Sequence, residues 1–123
     1  IAVFAPPKEL KKQVMAIVTD STPLEDPKDP ATCNVFALYK LFANDEQKSE
    51  MARKYAAGGY GYGDAKKALF EIMWTTFEPF RKRRKELEGD PAFVESVLRK
   101  GAERARAEAR KTLNAARKAM GLD

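Results

Sequence analysis

Between Asp90 and Gly121 the chain contains no proline after Pro91 and a single interior glycine, Gly101. Asp90 offers a side-chain cap, Pro91 suits the first helical position because its missing N–H has no use there, and Gly121 offers a left-handed stop. This bracketing predicts one helix holding roughly a quarter of the 123 residues. A helix of that length needs a neighbour to cover its apolar stripe. The stripe at helical spacing is Val94, Leu98, Gly101, Ala105, Ala109, Thr112, Leu113 and Ala116, and its small middle residues predict close approach to another helix.

The remaining segments also read as helices. Pro6-Pro7 opens a first helix with Leu10, Val14, Ile17 and Val18 on one face, ending near Thr19. Residues 20–30 hold three prolines and four acids and read as an exposed connection. Ala31 to Ala43 is apolar almost all round, as expected of a helix at the centre of the core. Asn44 or Asp45 caps a third helix that stops at Gly58. Asp64 caps a fourth that turns Leu69, Ile72, Met73, Phe77 and Phe80 inward, with a kink or break forced by Pro79. No segment alternates as a strand does, so the expected fold is an all-α bundle of about five helices.

Charge is unevenly distributed. Residues 1–80 carry 10 basic and 11 acidic side chains, a net −1, whereas residues 81–123 carry 13 and 7, a net +6. A basic end fits either phosphate binding or a solvated arginine-rich face. The chain has no histidine and one cysteine, Cys33. That excludes an internal disulfide, a zinc site of ordinary type and every imidazole-based acid–base scheme, and it fits a cytoplasmic origin. No apolar run approaches the ~20 residues of a membrane span, so no membrane partner is expected. The opening Ile1-Ala-Val-Phe-Ala-Pro-Pro7 has neither a basic start nor the apolar stretch of a signal peptide, and the chain reads as a cut fragment.

Two surfaces stand out as candidate nucleic-acid contacts. In the glycine-rich loop and helix start at residues 58–67, backbone N–H groups and a helix N-terminus suit a phosphate, Lys66 and Lys67 add charge, and Tyr60 and Tyr62 offer rings for splayed bases. The alternative is that the tyrosines cap the core and the glycines only make the turn. The second is the run Arg81, Lys82, Arg83, Arg84, Lys85, which suits an RNA backbone or simply forms a solvated helix end. Trp74 and Phe77 read as core residues.

Four stretches together resemble one family. Lys11-Lys12 followed by Ile17-Val-Thr-Asp-Ser21, the apolar run Asn34 to Leu41, Gly59-Tyr-Gly-Tyr-Gly-Asp-Ala-Lys66-Lys67, and Gly101-Ala-Glu-Arg-Ala105 with the closing Met120-Gly-Leu122 are similar, in order and spacing, to the C-terminal part of bacterial tryptophanyl-tRNA synthetases. In that family this part follows the Lys-Met-Ser-Lys-Ser loop of a class I catalytic domain. The resemblance implies that residues 1–6 are the end of the segment leading from that domain and residues 7–123 an anticodon-side, tRNA-binding helical domain. It implies no catalytic residue here, since one of the family's two ATP signatures contains histidines and this chain has none.

For the intact enzyme the resemblance implies ATP-dependent attachment of tryptophan to its tRNA through an aminoacyl-adenylate, with ATP and Mg, in a homodimer. The partners implied for this chain are the tRNA for tryptophan and the enzyme's own catalytic domain. Some members carry an iron–sulfur cluster on this domain, held by four cysteines of which the last two precede two lysines. Aligned on Lys66-Lys67, the last three ligand positions fall on Tyr55, Tyr62 and Ala65, and Cys33 matches the first. The resemblance therefore implies descent from that branch without a cluster. A stand-alone helical nucleic-acid-binding module and a purely structural helical interaction domain are the competing readings.

Overall fold

The computed structural model describes residues 1–122 and is all-α. Six helices are present among the described residues: α1 (Pro7–Met15), α2 (Asn34–Tyr39), α3 (Asp45–Ala57), α4 (Tyr62–Thr76), α5 (Glu78–Glu88) and α6 (Pro91–Ala119). The sixth arises at Pro79. Its ring leaves the Thr75 carbonyl without the N–H a continuous helix would supply, and the chain breaks at Phe77 before restarting as α5.

The chain forms two compact units, one from Ile1 to Arg81 and one beginning at Lys82. In the first, α4 packs against both α1 and α2. Leu10 and Val14 of α1, Val35, Phe36 and Tyr39 of α2, Met51 and Tyr55 of α3, and Ala65, Leu69 and Met73 of α4 form the buried cluster. The 31–43 segment stands at the core as expected, supplying Cys33, Val35, Phe36, Tyr39 and Ala43, and it shares that place with α4 and Tyr55. That segment is helical only over Asn34–Tyr39, because it tightens into i to i+3 turns at Leu41 and Phe42, and the turn leaves Leu41 73% exposed. The turn frees Asn44 to cap α3: its side chain accepts from the Gln47 N–H while Gln47 returns a bond to the Asn44 N–H, a full capping box.

Two other boundaries differ from the sequence expectation. α1 stops at Met15, short of the β-branched run Ile17-Val-Thr19, residues that lose side-chain freedom in a helix. α4 starts at Tyr62 with Gly61 as its cap, so Asp64 lies inside the first turn, where its charge still favours the helix dipole.

In the second unit α6 is capped as expected, Asp90 Oδ1 accepting from the Phe93 N–H at 3.0 Å. It closes with Gly121 at φ +68° and the Leu122 N–H bonded to the Arg117 carbonyl, a Schellman ending. The expected inward stripe does not face a partner: no residue of α6 is buried, and Leu98 and Leu113 are 68% and 55% exposed. Surface pairs such as Glu95–Arg99 and Glu108–Lys111 brace the helix along its length. No helix among the described residues is long and apolar enough to cross a membrane.

Candidate nucleic-acid interface

The loop at 58–67 is built around Tyr55. This ring is fully buried, its hydroxyl lies 3.4 Å from Cys33 Sγ, and the rings of Phe36, Tyr60 and Tyr62 surround it at 5.8, 5.9 and 6.2 Å between centroids. Burial pushes the Tyr55 phenol far above its ordinary range. Tyr60 and Tyr62 thus each spend one part of the ring on the core and keep the rest at the surface. Lys54 Nζ stands 5.7 Å from the Tyr60 centroid, and burial raises the Tyr60 phenol.

Tyr62 is held more firmly. Its hydroxyl donates to Asp20 Oδ1 at 2.8 Å, tying α4 to the connection at 20–30. Burial, followed by that hydrogen bond, pushes the phenol up to about 12. Asp20 is held below the usual carboxylate range, first by hydrogen bonding from Thr22 and then by Tyr62.

Lys28 was not marked by the sequence reading, yet it organises this connection. It is 4% exposed, and its ammonium donates to the carbonyls of Pro23, Leu24 and Asp26 at 2.8, 3.2 and 3.1 Å. Its Nζ also lies 5.4 Å from the Tyr62 centroid, and its N–H bonds the Tyr55 carbonyl. The available signal was one lysine set among four acids and three prolines in a segment too broken for a helix. The glycine N–H groups are less open than the composition suggested, because Gly59 donates to the Leu24 carbonyl at 2.9 Å and Gly58 to that of Tyr55 at 3.4 Å.

The two lysines differ. Lys66 Nζ donates to the Met15 carbonyl at 3.2 Å, capping the end of α1, whereas Lys67 pairs with Asp64 at 2.9 Å on an exposed surface. The arginines differ too. Arg81 lies over the indole of Trp74, with its guanidinium carbon 3.5 Å from the ring centroid, and donates to the Trp74 carbonyl. Arg83 pairs with Glu86 and Arg84 with Glu88, both at 2.7 Å and both solvent-exposed. Tyr60 and Tyr62 therefore meet at Tyr55, Lys66 and Lys67 follow along α4 with partners of their own, and Arg81 belongs to the packing at the end of α4.

The sequence matches no model of a known protein family. Individual proteins do match. The chain is 47% identical to a tryptophan–tRNA ligase of Rhodopirellula baltica over 99% of its own length and 38% of the relative's. It is 43% identical to that of Fusobacterium nucleatum over 99% of its length and 37% of the relative's. A crystal structure of Campylobacter jejuni tryptophanyl-tRNA synthetase complexed with ADP and tryptophan superposes with a TM-score of 0.83 at 39% identity, over 98% of this chain and 38% of that one.

The chain is homologous to part of tryptophan–tRNA ligase. It spans a little over one third of the length of these ligases.

Against that ligase background, the four positions aligned with the cluster ligands of some synthetases do come together in the fold. Cys33 and Tyr55 are in contact, Tyr62 meets Tyr55 edge-on, and Ala65 is fully buried in the same core. Their donor set is one thiol and two phenols. It does not fit a thiolate-held cluster, and among the described residues no group of three His, Cys, Asp or Glu side chains is placed to hold a metal ion.

Proposed function

We propose that this segment is the C-terminal, tRNA-holding part of a cytoplasmic tryptophan–tRNA ligase and supplies no group to the chemical step. The carrying observation is similarity along almost the entire chain to about 38% of the length of a tryptophan–tRNA ligase. The intact ligase would attach tryptophan to its tRNA using ATP and Mg, through an aminoacyl-adenylate and as a homodimer, with those substrates bound outside this segment. No iron–sulfur cluster takes part in this reading, since Cys33 is the only thiol.

The residues assigned to tRNA are Tyr60, Tyr62 and Lys67, with Lys66 behind them and Arg83 and Arg84 as backbone contacts. Partly buried rings with an edge at the surface, near an exposed ammonium in the sequence, suit single-stranded RNA, where bases stack on aromatic side chains and phosphates meet cations. The unburied face of α6 supports a second role for the same segment, packing against the ligase's own catalytic domain, because Val97, Leu98 and Leu113 are all more than half exposed.

Two measurements test this. The chain alone should show no tryptophan-dependent ATP–pyrophosphate exchange, while the intact ligase shows it. The intact ligase should bind the tRNA for tryptophan in preference to other tRNAs, and Tyr60→Ala should weaken that binding without abolishing adenylate formation. Equal, salt-labile binding of any RNA would favour a stand-alone nucleic-acid module instead.

A further inference from the structure

The carbonyls of Pro23, Leu24 and Asp26 converge on the ammonium of Lys28 at 2.8, 3.2 and 3.1 Å. An ammonium carries three protons and no acceptor, so each proton is used and none is left for a phosphate. The convergence has a local origin. Residues 20–30 form no helix or strand, and Pro23, Pro27 and Pro30 supply no N–H, so the carbonyls between them lack the partners that regular structure would give. Lys28 also reaches both neighbouring tyrosines. Its N–H donates to the Tyr55 carbonyl at 2.8 Å, and its Nζ lies over the Tyr62 ring, 5.4 Å from the centroid. The Leu24 carbonyl accepts from the Gly59 N–H as well, at 2.9 Å, which bonds the cage to the glycine loop leading into Tyr62. Tyr62 is thereby held at two points, its hydroxyl by Asp20 and its ring face by Lys28. Asp20 and Lys28 belong to the same connection, so the ring keeps its place only while that connection keeps its shape.

We propose that Lys28 is a positioning residue: its caged ammonium fixes the connection at 20–30 and, through it, the ring of Tyr62. The inference rests on the tRNA-binding reading above, to which it adds a residue almost wholly closed off from solvent. The cage is in effect a site for a monovalent cation of ammonium size, filled by the chain's own side chain. Removing that side chain leaves a place that a free alkylammonium fits. Truncation of lysine to alanine deletes the atoms of propylammonium, so that ion supplies what the variant lacks.

The test is tRNA binding by the intact ligase carrying Lys28→Ala, alone and with added propylammonium. Lys28→Ala should weaken binding by about tenfold, because the ring is no longer held ready for its partner. Propylammonium should restore it. Propanol, of similar shape without the charge, and tetramethylammonium, charged but bulky and without an N–H, should not. On a Tyr62→Ala background Lys28→Ala should bring no further loss, since both changes act through one ring. Lys28→Gln, which keeps a donor without the charge, serves in the same cycle if Lys28→Ala does not fold. Parental binding by the folded Lys28 variant, beside weakened binding by Tyr62→Ala, would overturn the positioning role and leave tRNA binding standing. So would rescue by propanol as full as that by propylammonium, no rescue by propylammonium, or additive losses in the double variant. Parental binding by Tyr62→Ala would overturn the tRNA role of that ring, and this inference with it.

Discussion

The guanidinium of Arg81 stacks on the indole of Trp74 while donating to that residue's own backbone carbonyl, so one side chain both covers the aromatic surface and caps the helix that Pro79 interrupts. Trp74 lies in turn on Phe70, with centroids 6.1 Å apart and planes 20° from parallel. Arg81→Ala should therefore lower stability by about 1–2 kcal/mol through loss of the cation–π contact and the cap. Arg83→Ala and Arg84→Ala, whose ion pairs with Glu86 and Glu88 are exposed, should cost at most about 1 kcal/mol each. Denaturation followed by the fluorescence of Trp74, the single tryptophan, measures all three.

Gly58 and Gly59 separate two reasons for glycine. Both have positive φ, +75° and +74°. A Cβ on Gly59 would meet nothing within 4 Å, whereas one on Gly58 would come within 2.2 Å of the Glu25 carbonyl oxygen, at a backbone setting of ψ 175° that is almost confined to glycine. Gly59→Ala should cost about 1–2 kcal/mol from backbone strain alone. Gly58→Ala should cost more than that, about 3 kcal/mol or beyond, because strain at this setting is joined by a backbone clash. Equal melting temperatures for the two variants would contradict the close approach of residues 25 and 58.

Alkaline unfolding should follow the tyrosines. Tyr62 is pushed up to about 12 in the fold, and Tyr39, Tyr55 and Tyr60 are also raised, burial being the first cause for each. Their ordinary values lie near 10, so between about pH 10 and 12 the unfolded chain releases protons that the folded chain retains. Stability is thus complete below pH 10 and falls as pH rises through that window. The lowered Asp20 acts at the other end, its contribution being present above its ordinary value near 4 and lost as pH falls further. Tyrosinate absorbance should appear together with loss of helical circular dichroism, and Tyr62→Phe should shift the loss of helicity to higher pH.

The helices were legible in the sequence because their ends carry local chemistry. Asn44, Gly58, Asp90-Pro91 and Gly121 act within one turn of themselves, and each sits where the pattern put it. The candidate loop was legible for the same reason. What the sequence concealed depends on contacts far along the chain. Lys28 reads as one more charge in an acidic connection until the fold closes three carbonyls around it, and Asp20 lies 42 residues from the tyrosine that donates to it. The apolar spacing of α6 was equally plain, but periodicity specifies a face and not what lies against it, so Leu98 and Leu113 remain uncovered in this chain.

Lys66 and Lys67 are neighbours in sequence with separate duties, and their variants should diverge. Lys66 holds the last carbonyl of α1, while Lys67 bonds only Asp64 across an exposed turn. Lys66→Ala should lower the melting temperature by loosening α1 from α4, a loss of about 1 kcal/mol for one charge-assisted bond at a partly open site. Its effect on tRNA affinity should appear alike for every tRNA. Lys67→Ala should leave stability within about 0.5 kcal/mol of the parent, since exposed pairs contribute little. If Lys67 meets a phosphate in the complex, the logarithmic salt dependence of tRNA binding should flatten by about one unit, with no change in which tRNA is preferred. Lys67→Arg should restore the slope, because charge and not shape carries a phosphate contact of this kind. A Lys67→Ala variant with parental affinity and slope would move the phosphate contacts to Arg83 and Arg84, where the same titration, repeated on Arg83→Ala and Arg84→Ala, would locate them.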